Sequence, residues 1–300
     1  MVVGLFPGQG AEFCGMGRAY YGTNPAVKRV MDRANAVLDF DLLGYMFGEE
    51  SLSRHPEWLQ PALVTYHLGM VAAFEANHSR PEAMCGLSLG EYSALIAAGA
   101  CSLEDGMRLV AARSQAMARA AAVHPGAMLA VMKPTAAALE EALAVPDVWL
   151  ANRNSHLQVV LGGTTSGISA ARKCLATHGV RGIKLRVTGA FHTPLMASAQ
   201  ADLAQALRRV AFTTPEIPVM STTALTYFTR DNIAEILAKQ VATSTDFCTA
   251  IAQLSSETTN AYVQFSEKDV LGKMVANITP GAQFAVLPAA ESVEEIARGN

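Results

Sequence analysis

The chain has 300 residues, with 23 Lys and Arg against 26 Asp and Glu, a formal net charge of −3. Hydrophobic residues make up 51% and charged residues 16%, enough apolar side chain for a full core and no composition typical of a long disordered tail. This balance excludes a basic nucleic-acid surface, and no apolar run approaches the ~18 residues of a membrane span. The opening MVVGLFPGQG has no basic region and meets Pro and Gly early. It reads as a buried first strand, not a signal peptide. The five cysteines (Cys14, Cys85, Cys101, Cys174, Cys248) are scattered without a CxxC pair, so they read as small core residues of a reduced, cytoplasmic protein. The seven histidines show no ligand spacing such as HExxH, and no metal site is expected.

In chain order, VVGLF reads as a strand closed by the turn PGQG. Residues 26–38 and 61–76 carry helical periodicity, and 81–86 a short strand. EYSALIAAGA predicts a helix ending near Gly99. The next helix starts with Ser102 as N-cap and Asp105 in its first turn. The pattern then changes. A strand at 127–132, a helix at 135–144, the strands VWLANR and QVVLGG, a helix ending at Gly179 and a strand at 182–187 give the order β-α-β-β-α-β. That is the ferredoxin-like arrangement. A helix (TPLMASAQADLAQALRRV), the strand IPVMST, helices at 230–242 and 245–256 and the strand AYVQF follow. Strands alternating with helices on both sides of the insert predict an α/β body with a largely parallel sheet. The division expected is residues 1–124 and 189–300 for the body and 125–188 for the small subdomain.

The string GLSLG (86–90) places Ser88 where a strand meets a helix. A plain turn carries the same letters by chance. The strand before it and the helix after it favour a nucleophile elbow, in which the helix N-terminus supplies free N–H groups. The N–H of Leu89 is then a natural oxyanion donor. A serine nucleophile needs a base, and His192 in GAFHTPLM lies on a loop between a strand and a helix. His67, His124, His156 and His178 read as structural. No acid stands out to complete a triad. On the helix after Ser102, Arg108 and Arg119 share a polar face, whereas Arg113 has Leu109, Ala116 and Met117 as neighbours. A guanidinium there needs an anion. An internal carboxylate and a bound substrate carboxylate are both open.

Together these segments resemble the malonyl-CoA:acyl carrier protein transacylases of fatty acid and polyketide synthesis, from residue 5 to about 290. FPGQGAEFCGMG resembles that family's opening motif, which implies that Gln9 and Leu89 form the oxyanion hole. LQPAL supplies Gln60. GLSLGEYSAL matches the nucleophile motif and AARSQAM the arginine motif, so Arg113 would bind the malonyl carboxylate. NRNSHLQVVLGG matches at Asn152, Asn154 and Gln158, and GAFHTPLM matches the histidine motif. AKQV aligns with a segment whose glutamine, Gln240 here, orients the histidine through its main-chain carbonyl. The resemblance implies an α/β-hydrolase-like body with the ferredoxin-like insert, a ping-pong reaction through a malonyl-Ser88 ester and no cofactor. Its partners would be malonyl-CoA and the phosphopantetheine arm of an acyl carrier protein. Phe191 before the histidine is similar to malonyl-specific members.

Three features depart from the family. Leu87 stands where most relatives have histidine, which makes the pocket more apolar. SEKD (266–269) replaces a glycine-proline-glycine turn, and TSTDF follows Gln240 in place of Pro and aromatic residues. They point to a specialised member. An acidic carrier protein calls for a basic surface, for which Arg172, Lys173, Arg181, Lys184, Arg186, Arg208 and Arg209 are candidates. Two other functions compete: an editing hydrolase of acyl carrier proteins, and a non-catalytic docking module. Arg113 counts against the first, and Ser88, His192 and Arg113 together count against the second.

Overall fold

The apolar run at the N-terminus forms β1 (Val2–Phe6), buried on both faces. Val3 and Leu5 point to one side and Phe6 to the other, as strand geometry requires. The computed structural model describes residues 1–48, 52–257 and 261–287. After β1 come α1 (Arg18–Thr23), α2 (Pro25–Val37), α3 (Leu42–Phe47) and α4 (Leu59–Glu75). β2 (Ala83–Gly86), α5 (Leu89–Ala97) and α6 (Leu103–Val123) follow. The expected cap is present: Ser102 Oγ accepts from Asp105 N at 3.0 Å. The next stretch runs β3 (Gly126–Met132), α7 (Ala136–Leu143), β4 (Val148–Ser155), β5 (Gln158–Thr164), α8 (Thr165–Thr177) and β6 (Arg181–Lys184). The chain closes with α9 (Ala197–Leu207), β7 (Val219–Met220), α10 (Ile233–Gln240), β8 (Thr245–Asp246), α11 (Phe247–Glu257), β9 (Ala261–Gln264), α12 (Gly272–Ile278) and β10 (Gln283–Val286).

Two sheets result. The first, in order β10-β9-β1-β2-β7, is parallel throughout. One face packs on α4, α5, α6 and α9, the other on α11 and α12, so its strands are apolar on both sides. The second sheet, β6-β3-β5-β4-β8, takes its first four strands from the β-α-β-β-α-β segment, paired antiparallel. One of its faces carries α7 and α8. The other, with Met128, Ala130, Ala151 and Val160, packs against Leu185, Val187 and Phe191. Both sheets meet the expected fold class.

Several boundaries differ from the sequence expectations, for physical reasons. The helix expected at 245–256 begins at Phe247 because Asp246 Oδ1 accepts from Thr249 N at 2.8 Å and caps it. Thr245 and Asp246 instead pair parallel with Asn152 and Arg153. The single helix expected after His192 is a short 3-10 turn, Pro194–Met196, followed by α9. The strand expected at 182–187 runs from Arg181 to Lys184, with Leu185 N still donating to Met128 O on β3 at 2.9 Å. IPVMST contributes only Val219–Met220 to the sheet. Cysteines are not uniformly core residues: Cys85 and Cys248 are buried, Cys101 and Cys174 half-buried, and Cys14 exposed. The stretch 288–290 at the end of the family resemblance lies outside the described residues, as do 291–300.

Candidate active site

β2 runs straight into α5, and the turn between them is forced by sterics. A Cβ on Gly86 would lie 2.0 Å from Gly90 C, and one on Gly90 2.1 Å from Phe6 O. Only glycine permits strand and helix to approach so closely. Ser88, between them, has φ 54° and ψ −106°, a strained conformation for a residue with a side chain. The site thus lies beyond the C-terminal ends of β1 and β2, where parallel sheets place ligands. Leu89 opens α5, so its N–H has no helical carbonyl to bond.

His192 reaches the serine from the loop after the second sheet. Its Nε2 is 2.7 Å from Ser88 Oγ and its Nδ1 2.7 Å from the main-chain carbonyl of Gln240. A carbonyl only accepts, so Nδ1 carries the proton and Nε2 is left to take one from the serine. The backbone N–H of His192 is held by Val241 O at 2.9 Å, with the residue at φ 60°. Burial, reinforced by the Arg113 charge, pushes the imidazole pKa down to about 4. The ring is therefore a neutral base at physiological pH.

Arg113 is 1% exposed, and its partners are uncharged. Nη1 donates to Gln60 Oε1 at 2.6 Å, and Nη2 to Ser88 Oγ at 3.2 Å and Gln240 Oε1 at 3.1 Å. Its guanidinium lies 5.0 Å from the Tyr92 ring centroid, and its Nε has no hydrogen-bond partner among the described residues. Burial lowers its pKa. The internal-carboxylate alternative is not what the structure shows at the guanidinium itself.

A cavity of about 140 Å³ joins Ser88, His192 and Arg113, and Gln9, Leu87, Leu89, Phe191 and Asn154 line it. A second, of about 470 Å³, shares Gln9, Met117, Val187 and Phe191 with it and includes Gln60 and Arg186. Gln60 meets the smaller cavity only through Arg113, whose Nη1 it holds. Gln158 lies outside both cavities; its Oε1 accepts from Asn154 Nδ2 at 3.3 Å. Asn152 lines the smaller cavity and donates to Thr245 Oγ1 at 2.8 Å.

The candidate basic residues Arg172, Lys173, Arg181, Lys184, Arg186, Arg208 and Arg209 are all exposed. None of the four histidines read as structural lines the smaller cavity. His67 is buried with Nδ1 2.9 Å from Ser93 Oγ. His178 meets Glu141 at 2.9 Å on the outer helices, with Cys174 beside them.

Sequence reasoning missed Glu91. It is wholly buried, and its Oε1 accepts from Thr222 N at 2.5 Å and Thr222 Oγ1 at 2.8 Å. Its Oε2 accepts from Gln240 Nε2 at 2.5 Å. Its place in the nucleophile motif was a signal, but in a helix's first turn a carboxylate is ordinary.

A serine raised on a strand–helix turn at the end of a parallel sheet, with a neutral imidazole on its hydroxyl, is the architecture of an acyl-transferring enzyme. The chain belongs to the acyl transferase domain family, whose sequence profile matches residues 3–283. It is 32% identical to the malonyl CoA-acyl carrier protein transacylase of Bacillus subtilis (strain 168), over 97% of this chain and 94% of that one. Its structure superposes on MCAT from Streptococcus pneumoniae with a TM-score of 0.91 at 32% identity, covering 99% of this chain and 100% of that one. A malonyl-transacylase in complex with its type II polyketide acyl-carrier protein matches with a TM-score of 0.92 at 25% identity, over 100% and 99% of the chains.

Proposed function

We propose that the protein transfers a malonyl group from malonyl-CoA to the phosphopantetheine thiol of an acyl carrier protein, through an ester on Ser88. The observation that carries this reading is the 3.2 Å approach of Arg113 Nη2 to Ser88 Oγ. An acyl group that reacts at the serine while its own carboxylate rests on the guanidinium must be short. Malonyl, with one methylene between the two carbonyl carbons, fits that span.

His192 Nε2 takes the hydroxyl proton as Ser88 Oγ attacks the thioester carbon. The oxyanion is held by the N–H groups of Leu89 and Gln9. The tetrahedral intermediate collapses, the C–S bond breaks, and His192 returns its proton to the coenzyme A thiolate. The carrier thiol then attacks the malonyl-serine ester, with His192 as base and afterwards as acid towards Ser88. The Gln240 carbonyl holds the imidazolium that forms in each half-reaction, the part an acid plays in a triad. No cofactor enters the scheme. The body comprises residues 1–124 and 189–300, with 125–188 as the inserted subdomain, a division supported by the two separate sheets. We place the reaction in fatty acid or polyketide synthesis in the cytoplasm. Among the described residues no helix is long and apolar enough to cross a membrane.

Intact-protein mass spectrometry after mixing with malonyl-CoA or acetyl-CoA tests the reading. A malonyl adduct discharged by a carrier thiol is expected, with no adduct on Ser88→Ala. Arg113→Ala should depress malonyl loading by about 100-fold or more, the scale of removing a charge-assisted clamp, and acetyl loading far less. Equal loss for both donors would remove the carboxylate role. Release of acyl groups from a loaded carrier protein to water, with no malonyl adduct, would identify the editing hydrolase.

A further inference from the structure

We propose that Glu91 is a positioning residue of this site: as an ionised carboxylate it acts through the side chain of Gln240 to hold both His192 and Arg113 in register with Ser88. The proposal rests on the acyl-transfer reading above.

The donor inventory around Glu91 requires two acceptor oxygens. Thr222 N and Thr222 Oγ1 meet one oxygen, and Gln240 Nε2 meets the other. A backbone N–H and an amide NH₂ only donate. A glutamine here, or a protonated glutamate, would turn a donor toward one of them and leave a buried group unpaired. The second partner of Gln240 Nε2 is also an acceptor, the Ser88 carbonyl at 3.1 Å. The amide is thereby locked against a flip, and its Oε1 faces Arg113 Nη2 at 3.1 Å. The same residue's main-chain carbonyl receives His192 Nδ1. Gln240 therefore touches nucleophile backbone, base and guanidinium, and Glu91 fixes which way it faces.

The arrangement also resolves a charge problem. A buried guanidinium needs a nearby negative charge, yet a carboxylate placed directly on it would occupy the donors a substrate anion uses. One amide of separation supplies the charge and leaves those donors available. Among the described residues, the charged and titratable groups that interact with Glu91 are Cys85 from β2, Tyr92 on α5 and Arg113 from α6, and His192, from the loop before α9, meets the main-chain carbonyl of its partner Gln240. His67 from α4 meets the adjacent Ser93. Burial pushes the Glu91 carboxyl up to about 7, against the hydrogen bonds from Thr222 and Gln240 that lower it.

The test is the rate of malonyl loading onto Ser88 against pH, for the wild type, Glu91→Gln and Thr222→Val, with thermal melts to confirm folding. The wild type should lose rate as pH falls through about 7, well above the range in which His192 takes a proton. Glu91→Gln should load about 10–100-fold more slowly, the usual loss when a partner behind a working group is removed, and should lack that acid limb. Thr222→Val keeps the carboxylate but removes one donor to its charged form, so the limb should move to higher pH. A folded Glu91→Gln with wild-type rate and limb would overturn the proposal, as would an unmoved limb in Thr222→Val. The second result decides alone if Glu91→Gln does not fold. Absence of any adduct on wild-type Ser88 would instead overturn the acyl-transfer reading, and this proposal with it.

Discussion

Ser88 sits where its own neighbours leave it no alternative conformation. The turn exists because Gly86 and Gly90 lack side chains, and that steric demand is local. The string around Ser88 is therefore legible without a structure. Gly90→Ala would press a Cβ to 2.1 Å from the Phe6 carbonyl. Overpacking against backbone costs about 3 kcal/mol or more, so the thermal midpoint should fall by about 5–10 °C, and the malonyl adduct should be lost even at temperatures where the variant stays folded. A Gly90→Ala variant that still loads Ser88 at wild-type rate would show that the elbow tolerates opening. Arg113 was equally legible, because a guanidinium amid Leu109, Ala116 and Met117 contradicts its helix face. Glu91 was not. Its partners Thr222 and Gln240 lie 131 and 149 residues away, and nothing in the local string says that the segment after β7 and the end of α10 converge on it.

At the scale of elements, long periodic segments declared themselves and short ones did not. α6 and α8 carry caps and many turns of pattern. By contrast, α1 and α3 are six residues each, and β8 has two, too few for any period to register. α4 shows what periodicity hides: it is buried along most of its length, so its polar His67 has no wet face to choose. Burial depresses that imidazole to about 3, whereas the unfolded chain takes up a proton near 6.5. The unfolded state therefore binds more protons between those values, and stability conferred by neutral His67 is full above about 6.5 and drains away as pH falls toward 3. His192 has the same sign down to about 4, and Glu91, raised to about 7, the opposite sign. Two losses against one gain predict a falling thermal midpoint between pH 6.5 and 4.5. His67→Gln should lower the midpoint at pH 8 and make its acid decline shallower than that of the wild type. Parallel curves for the two proteins would take His67 out of the account.

For the whole molecule, the second sheet is what turns a serine elbow into an enclosed cavity. Its face away from α7 and α8, through Met128, Asn152, Asn154 and Val160, forms one wall of the cavity at Ser88, and β8 ties it to the body by pairing with β4. The β-α-β-β-α-β order was readable from the sequence, because each piece has its own period. The wall it builds was not, since which face is left to line the cavity depends on where α7 and α8 pack. Under the proposed function, that placement also bears on where a carrier protein would dock. Arg181 and Lys184 lie on β6, the edge strand, with Ile183 43% exposed between them. Arg186 continues toward the larger cavity. A carrier protein docking there under the proposed function would find attraction at long range in Arg181 and Lys184 and an apolar contact at short range in Ile183. Reversing Arg181 and Lys184 to glutamate should slow discharge of malonyl-Ser88 by an acidic carrier protein about tenfold at low salt, mainly through the association rate. The difference should shrink as salt screens it. Loading from malonyl-CoA should change much less than discharge. Equal slowing of both half-reactions would place the carrier protein elsewhere and assign this edge to the nucleotide end of coenzyme A.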